Sequence, residues 1–292
     1  MEKKRSFLAF INLCAVSVLL AVCMCLLLFA GPSYAQSEAP FNQQPKTAAE
    51  AIEMLVQANR ILANENILDH MGHVTVRNPE NPKTFFMARA MAPELVTKND
   101  IVELDLDGNV VTKTAMLPYS ERVIHATIYK VRPDVNAVVH AHFIEALIFS
   151  VVNVPVKPLI NEASMLSPQV PVYDEYDFTS PGNTGMLVTT KDQGDRLARV
   201  LGKSRAVLMR GHGCTVVGPD LPTMLVTVLA LRNNMIVQMA AMQIGTPKFI
   251  SEGEAKTNVA SRSTPTMQAT SAASRAWSSL LGRAKKAMPD LQ

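Results

Sequence analysis

Apolar residues recur at helical spacing after Thr47. Ile52, Leu55, Val56 and Leu62 follow a Thr47-Ala48-Ala49-Glu50 capping box, which predicts a helix over 48–64. His73–Arg77 alternates polar and apolar side chains, as a half-buried strand does. Thr84–Met87 and Ile101–Val111 also read as strands, with Asp107-Gly108 as a hairpin turn. From Ser120 a helical run places Val123, Ile124, Ile128 and Val131 on one side and closes before Pro133. Ala137–His142 is a short apolar strand, Phe143–Val151 a helix and Arg205–Met209 a buried strand. Leu221–Ile244 is long and apolar with a helical rhythm. Helices and strands alternate while hairpins are also present. The expected fold is therefore α/β, a three-layer α/β/α arrangement around a central mixed, mostly antiparallel sheet.

The two ends have patterns of their own. Lys3, Lys4 and Arg5 precede an apolar run over residues 7–30, and Ser33-Tyr34-Ala35 supplies small residues at −3 and −1. That is the order of a secretory signal over residues 1–35, cleaved after Ala35. A run this long also suits a retained membrane anchor. Either way the body is expected outside the cytoplasm, touching a membrane only through this segment if it stays uncleaved. Residues 36–46 read as a linker, 47–250 as the main body, 251–274 as a flexible Ser/Thr-rich linker and 275–292 as a C-terminal helix carrying Trp277.

Composition narrows the classes. The chain has 292 residues, 48% of them hydrophobic and 18% charged, which excludes a disordered or collagen-like polymer. Of 28 basic and 25 acidic side chains, the first 35 residues hold Lys3, Lys4 and Arg5 against Glu2. The rest is nearly neutral and lacks the concentrated basic footprint that nucleic-acid binding draws on. Cys14, Cys23 and Cys25 lie in the leader, and only Cys214 is left in the body, so no internal disulfide holds it together.

The six histidines carry the candidate chemistry. In Val138-Val139-His140-Ala141-His142 the two imidazoles are two residues apart, so on a strand they share a face and can chelate one divalent ion. The same pair also suits an exposed polar face. Gly211-His212-Gly213 follows an apolar strand directly and can project its imidazole from a tight turn. Glu121 opens a helix, where the dipole favours a carboxylate; it can also complete a His₃Glu set or move protons.

Ser120-Glu121-Arg122, the run from Arg132 to His142, and Gly211-His212-Gly213 together closely resemble the class II aldolase/adducin family, including the 19-residue step from Glu121 to His140. The resemblance spans about Thr47 to Ile250. It implies a class II aldolase-like α/β/α fold, usually a homotetramer with sites near subunit interfaces. It implies a divalent metal, Zn or Mn, on His140, His142 and His212, with Glu121 as acid/base and sometimes fourth ligand. The chemistry it implies is metal stabilisation of an enolate, which aldol cleavage, epimerisation and decarboxylation can all use; the expected reaction is that of a carbon–carbon lyase.

Where phosphosugar members carry Gly-Asn-x-Ser, a hydroxyl-rich loop and Ser-Ser, this chain has Gly72-His73-Val74-Thr75, Ala88-Arg89-Ala90 and Tyr119-Ser120. His73, Arg89 and Ser120 become candidates for substrate binding, and Tyr119 joins Glu121 as a candidate proton donor. The change away from phosphate chemistry suits a carboxylate or carbonyl substrate. The phrases Met87-Ala88-Arg89, Pro93-Glu94-Leu95-Val96 and Arg275-Ala276-Trp277 are similar to the family's decarboxylase branch, which acts on hydroxylated aromatic acids or oxo-dienoates. The alternatives are an aldolase or epimerase on an unphosphorylated sugar, and a non-catalytic adducin-like interaction module.

Overall fold

A computed structural model describes residues 44–178, 185–262 and 271–291. The leader or anchor over 1–35 and most of the linker over 36–46 lie outside the described residues.

Seven strands form one sheet: β1 (His73–Arg77), β2 (Thr84–Ala88), β3 (Ile101–Asp105), β4 (Ala137–Ala141), β5 (Val172–Tyr173), β6 (Ala206–Met209) and β7 (Gly213–Gly218). Their spatial order is β3-β2-β1-β4-β7-β6-β5, and every pair is antiparallel except β5 with β6. The helices are α1 (Ala48–Asn64), α2 (Arg122–Val131), α3 (Ile144–Ser150), α4 (Lys191–Leu201), α5 (Leu221–Ile244), α6 (Glu252–Arg262) and α7 (Ala272–Ala287).

Two apolar cores divide the layers. Val74, Val76, Ala137, Val139 and Ala141 face the core shared with α1, α3, α5 and α7. Val138, Val207 and Val217 face a second core, filled from α2 and α4 by Ile124, Ile128 and Leu197. Strand side chains alternate between faces. With Val74, Val76, Val139 and Ala141 on one side, His73, Thr75, Val138 and His140 are on the other, under α2. The β1–β4 register sets His73 opposite His140 and Thr75 opposite Val138.

Several elements differ from the pattern reading. The second helix begins at Arg122, with Glu121 as its half-in capping residue. The Asp107-Gly108 turn is present, with Gly108 at φ 82°, but β3 ends at Asp105 and the return is a single Leu104–Val110 bridge. Residues 251–274 are not a continuous linker: α6 occupies Glu252–Arg262, its first turn tied by the Ser251 hydroxyl and the Glu254 carboxylate. The last helix runs over Ala272–Ala287 and docks on α1 and α5, burying Trp277, Leu280 and Ala284. Helix α4 and strand β7, to which the pattern assigns no element, complete the sheet and its second cover.

Candidate metal centre

The site grows from three loops at one end of β1, β4 and β7. β4 is buried on both faces, and its end carries His140 and His142. His212 stands in the turn between β6 and β7. Gly211 at φ 64° and Gly213 at φ 148° make that turn, and a Cβ on Gly213 would collide with the Ala141 carbonyl oxygen. Glu121 stands at the start of α2 and is buried, its Oε1 accepting the Val188 N–H at 2.8 Å.

The four side chains converge. Nε2 of His140 lies 2.9 Å from Nε2 of His142 and 3.3 Å from Nε2 of His212. Glu121 Oε2 is 3.3 Å from His212 Nε2 and 3.7 Å from His140 Nε2. One donor atom from each residue falls within 4.8 Å of all the others.

The outer nitrogens say which lone pairs face inward. His140 Nδ1 donates to the Cys214 carbonyl at 3.0 Å, and His142 Nδ1 stands 3.0 Å from Asp69 Oδ1. Both Nδ1 atoms thus carry the proton, leaving both Nε2 atoms with lone pairs aimed at each other. Burial pushes His140 well below the ordinary imidazole range, and the neighbouring imidazoles push it further, so it stays neutral. Two facing lone pairs repel unless a cation lies between them. Two nitrogens each about 2.0–2.1 Å from one ion stand roughly 2.9–3.4 Å apart at angles between square and tetrahedral. The residues therefore fit a divalent metal. Burial alone would raise the Asp69 carboxyl, but the His142 contact and the Gly72 and Met71 N–H groups carry it below its ordinary value. Asp69 is then an anionic acceptor that orients a ligand histidine, a common device at metal sites. His212 Nδ1 is buried without a partner among the described residues, which leaves its orientation to the glycine turn.

The other sequence candidates are placed unevenly. His73 is buried, its ring centroid 4.6 Å from that of Tyr119 and 5.2 Å from that of His140. Tyr119 donates its hydroxyl to the Met91 carbonyl, and burial raises its phenol. Arg89 follows β2 beside Pro118, but its Nε is paired with Asp100 Oδ1 at 2.8 Å. Ser120, next to Glu121 in the chain, is exposed, and neither it nor Arg89 is part of the convergent donor set. A cavity of about 20 Å³ lined by Tyr173, Met186, Arg210 and His212 opens beside the cluster. Larger clefts of about 330 Å³ around Arg60 and about 420 Å³ around Arg77 and Asp220 touch none of the four.

Two neighbours escaped the sequence reading. Asp69 gives no spacing signal, being 73 positions from the histidine it holds. His125 lies one helical turn after Glu121, on the side facing the sheet, and that i, i+4 step was the available clue.

An α/β/α sandwich thus gathers three imidazoles and a carboxylate at one sheet end, a donor set that suits a divalent metal. Residues 53–239, more than half of the chain, match the family described as Class II Aldolase and Adducin N-terminal domain. The chain belongs to this family. It is 32% identical over 208 residues to Decarboxylase tropJ of Talaromyces stipitatus, covering 68% of this chain and 78% of that protein. It is 29% identical over 186 residues to 3,4-dihydroxyphthalate decarboxylase of Arthrobacter keyseri, covering 59% and 70%. Among solved structures, L-fuculose 1-phosphate aldolase from Glaciozyma antarctica superposes with a TM-score of 0.67 at 23% identity, over 85% of this chain and 95% of that one, a likeness of fold.

Proposed function

We propose that this protein is a metal-dependent carboxy-lyase that removes CO₂ from a hydroxylated aromatic acid or a related oxo-dienoate. The observation that carries the reading is the convergence of the His140, His142 and His212 Nε2 atoms with the Glu121 carboxylate. Relatives that are decarboxylases support the choice of reaction. His140, His142 and His212 would hold a zinc or manganese ion, with Glu121 at its edge. When bound, such an ion supplies a Lewis acid that offsets negative charge developing on substrate oxygens.

The chain's own groups have separable tasks. As the bond to the carboxylate breaks, its electron pair stays on the substrate carbon and spreads onto the neighbouring oxygen. Glu121 would take the proton of the substrate hydroxyl and return it to that carbon, since Oε1 is anchored by Val188 and Oε2 is left facing the cluster. Tyr119 has its hydroxyl committed to Met91, so it serves as a wall against His73. His73 stands where phosphosugar members have Asn and offers a nitrogen toward an anionic oxygen.

A panel assay tests the reading. The purified body should contain about one equivalent of divalent metal and should release CO₂ from hydroxylated aromatic acids. Aldol cleavage of sugars without CO₂ release would overturn it in favour of the aldolase alternative. We also propose a homotetramer, supported by exposed Met186, which lines the small cavity, and exposed Val151 near Gly211; light scattering at the mass of one chain would exclude it. Export is proposed from residues 1–35, and mass spectrometry of the mature protein should find Gln36 first.

A further inference from the structure

Behind the cluster, four side chains from β1 and α2 form an unbroken buried line. His73 Nδ1 lies 2.7 Å from His125 Nε2. His125 Nδ1 lies 2.8 Å from Thr75 Oγ1, and Thr75 Oγ1 lies 2.8 Å from the Tyr129 hydroxyl. The line exists because Glu121, His125 and Tyr129 are spaced four apart on α2, while His73 and Thr75 are two apart on β1. All four side chains are buried. Burial pushes the His125 imidazole down to about 3 and holds it neutral.

The line runs unbroken in one of two directions, because letting Thr75 Oγ1 accept from both Tyr129 and His125 would leave the buried Thr75 proton without an acceptor among the described residues. In one, Tyr129 donates to Thr75, Thr75 to His125 Nδ1, and His125 Nε2–H to His73 Nδ1. His73 then carries its proton on Nε2. In the other, every donor is reversed and the Tyr129 proton must go elsewhere. The acceptor then available to it is the Asn136 carbonyl at 3.5 Å, at the limit of a hydrogen bond and already taken by Arg77 N–H at 2.8 Å. The first direction uses three short bonds and asks for no poor one. It also leaves His73 Nε2–H, which has no partner among the described residues, beside Tyr119 and His140.

We infer that His125, Thr75 and Tyr129 are a directional chain that locks His73 in its Nε2–H tautomer, so that His73 presents a fixed donor to an anionic oxygen of the substrate. The substrate half of this statement rests on the carboxy-lyase reading above; the tautomer half does not. His125 is a positioning residue, acting through His73. The chain is not a proton source. Passing the His73 proton to a substrate and refilling it from behind would leave Tyr129 a buried phenolate, and burial raises that phenol far above its ordinary value. What the chain supplies is direction: a neutral N–H aimed at a carboxylate, a charge-assisted bond that needs no titration.

Nitrogen NMR of the full zinc-loaded protein, with ¹⁵N-labelled histidine, reads the tautomer directly. The His73 signals, assigned by their loss in His73→Gln, should show the Nε2–H pattern. Thr75→Val removes the link between Tyr129 and His125 and should shift His73 toward a mixture, while Thr75→Ser restores the wild-type pattern. Should Thr75→Val fail to fold, Tyr129→Phe removes the first donor and should produce the same mixing. A His73 Nδ1–H pattern in the wild type, or a folded Thr75→Val or Tyr129→Phe protein with an unchanged pattern, overturns the lock. Calorimetric titration with salicylate then tests the substrate half. Thr75→Val should bind it roughly tenfold more weakly than wild type, and Thr75→Ser within about twofold. Salicylate that fails to bind wild type while the Nε2–H pattern holds would remove the carboxylate reading and leave the lock standing.

Discussion

The carboxylate of Asp69 accepts the Gly72 and Met71 N–H groups, which shapes the approach to β1, and it takes His142 Nδ1 as well. Asp69→Asn keeps an oxygen for the backbone and removes the charge that polarises the imidazole. Loss of such an outer partner costs roughly ten- to a hundredfold in metal affinity. A chelator-competition titration should find zinc binding weakened in that range with the fold intact. Glu121→Gln makes the complementary separation. The three imidazoles remain, so metal content should stay near wild type, while CO₂ release falls by roughly a hundredfold or more for want of a proton carrier. Loss of metal together with activity would instead make Glu121 chiefly a ligand. At this scale the candidate set was legible only where chemistry left a local signature. His140 and His142 announce themselves by their two-residue step and His212 by its flanking glycines. Asp69 and His125 act through partners 73 and 52 positions away, and a linear pattern holds no record of such a pairing.

Among the elements, α5 departs most from an ordinary amphipathic helix. It is apolar nearly all round because it packs against α1, α3 and α7 as well as β4 and β7. By length and composition alone it could cross a membrane, yet half of its most apolar stretch is buried within the protein. Two buried polar residues show what it does instead. Asn234 accepts the Leu159 N–H at 2.7 Å and donates to the Lys157 carbonyl at 2.8 Å, and Gln238 donates to the Pro155 carbonyl at 2.8 Å. These amides replace a missing strand partner for residues 155–160. Asn234→Leu should therefore strand a buried N–H and a carbonyl, at about 1–3 kcal/mol each. Urea unfolding should show a loss of at least about 2 kcal/mol, with zinc affinity unchanged because the loop lies apart from the ligands. The same logic explains which elements the pattern revealed. Helices α1 and α2 and strands β1 and β4 bury one clear face or a compact apolar run. β7, Gly-Cys-Thr-Val-Val-Gly, has neither the alternation of β1 nor a compact apolar run like that of β4, and glycines bound it at both ends. α4 buries only Gly194, Leu197, Ala198 and Leu201, and its sole strong signal is the Thr190–Gln193 capping box. α6 buries Ala255 alone, which is why its composition passes for a linker.

For the whole molecule, a bound metal would make the four convergent side chains a clasp. Its ligands come from three distant parts of the chain: the start of α2, the end of β4, and the turn joining β6 to β7. Asp69, before β1, adds a fourth. No short peptide of this sequence contains the full set, so an ion that needs all of it binds the folded chain and scarcely the unfolded one. Binding to the native state alone stabilises it by about 2.7 kcal/mol when the free ion is a hundredfold above its Kd. For a body of this size each kcal/mol raises Tm by roughly 2–4 °C, so saturating zinc should raise it by about 5–10 °C. The doubly substituted His140→Ala, His142→Ala protein should show no such rise, since two of three imidazoles are gone and the remaining His212 and Glu121 make a weak pair. Scanning calorimetry of both proteins, with and without zinc, makes the comparison. An equal rise in the two would place the stabilising ion elsewhere, and with it the chemistry assigned to this end of the sheet.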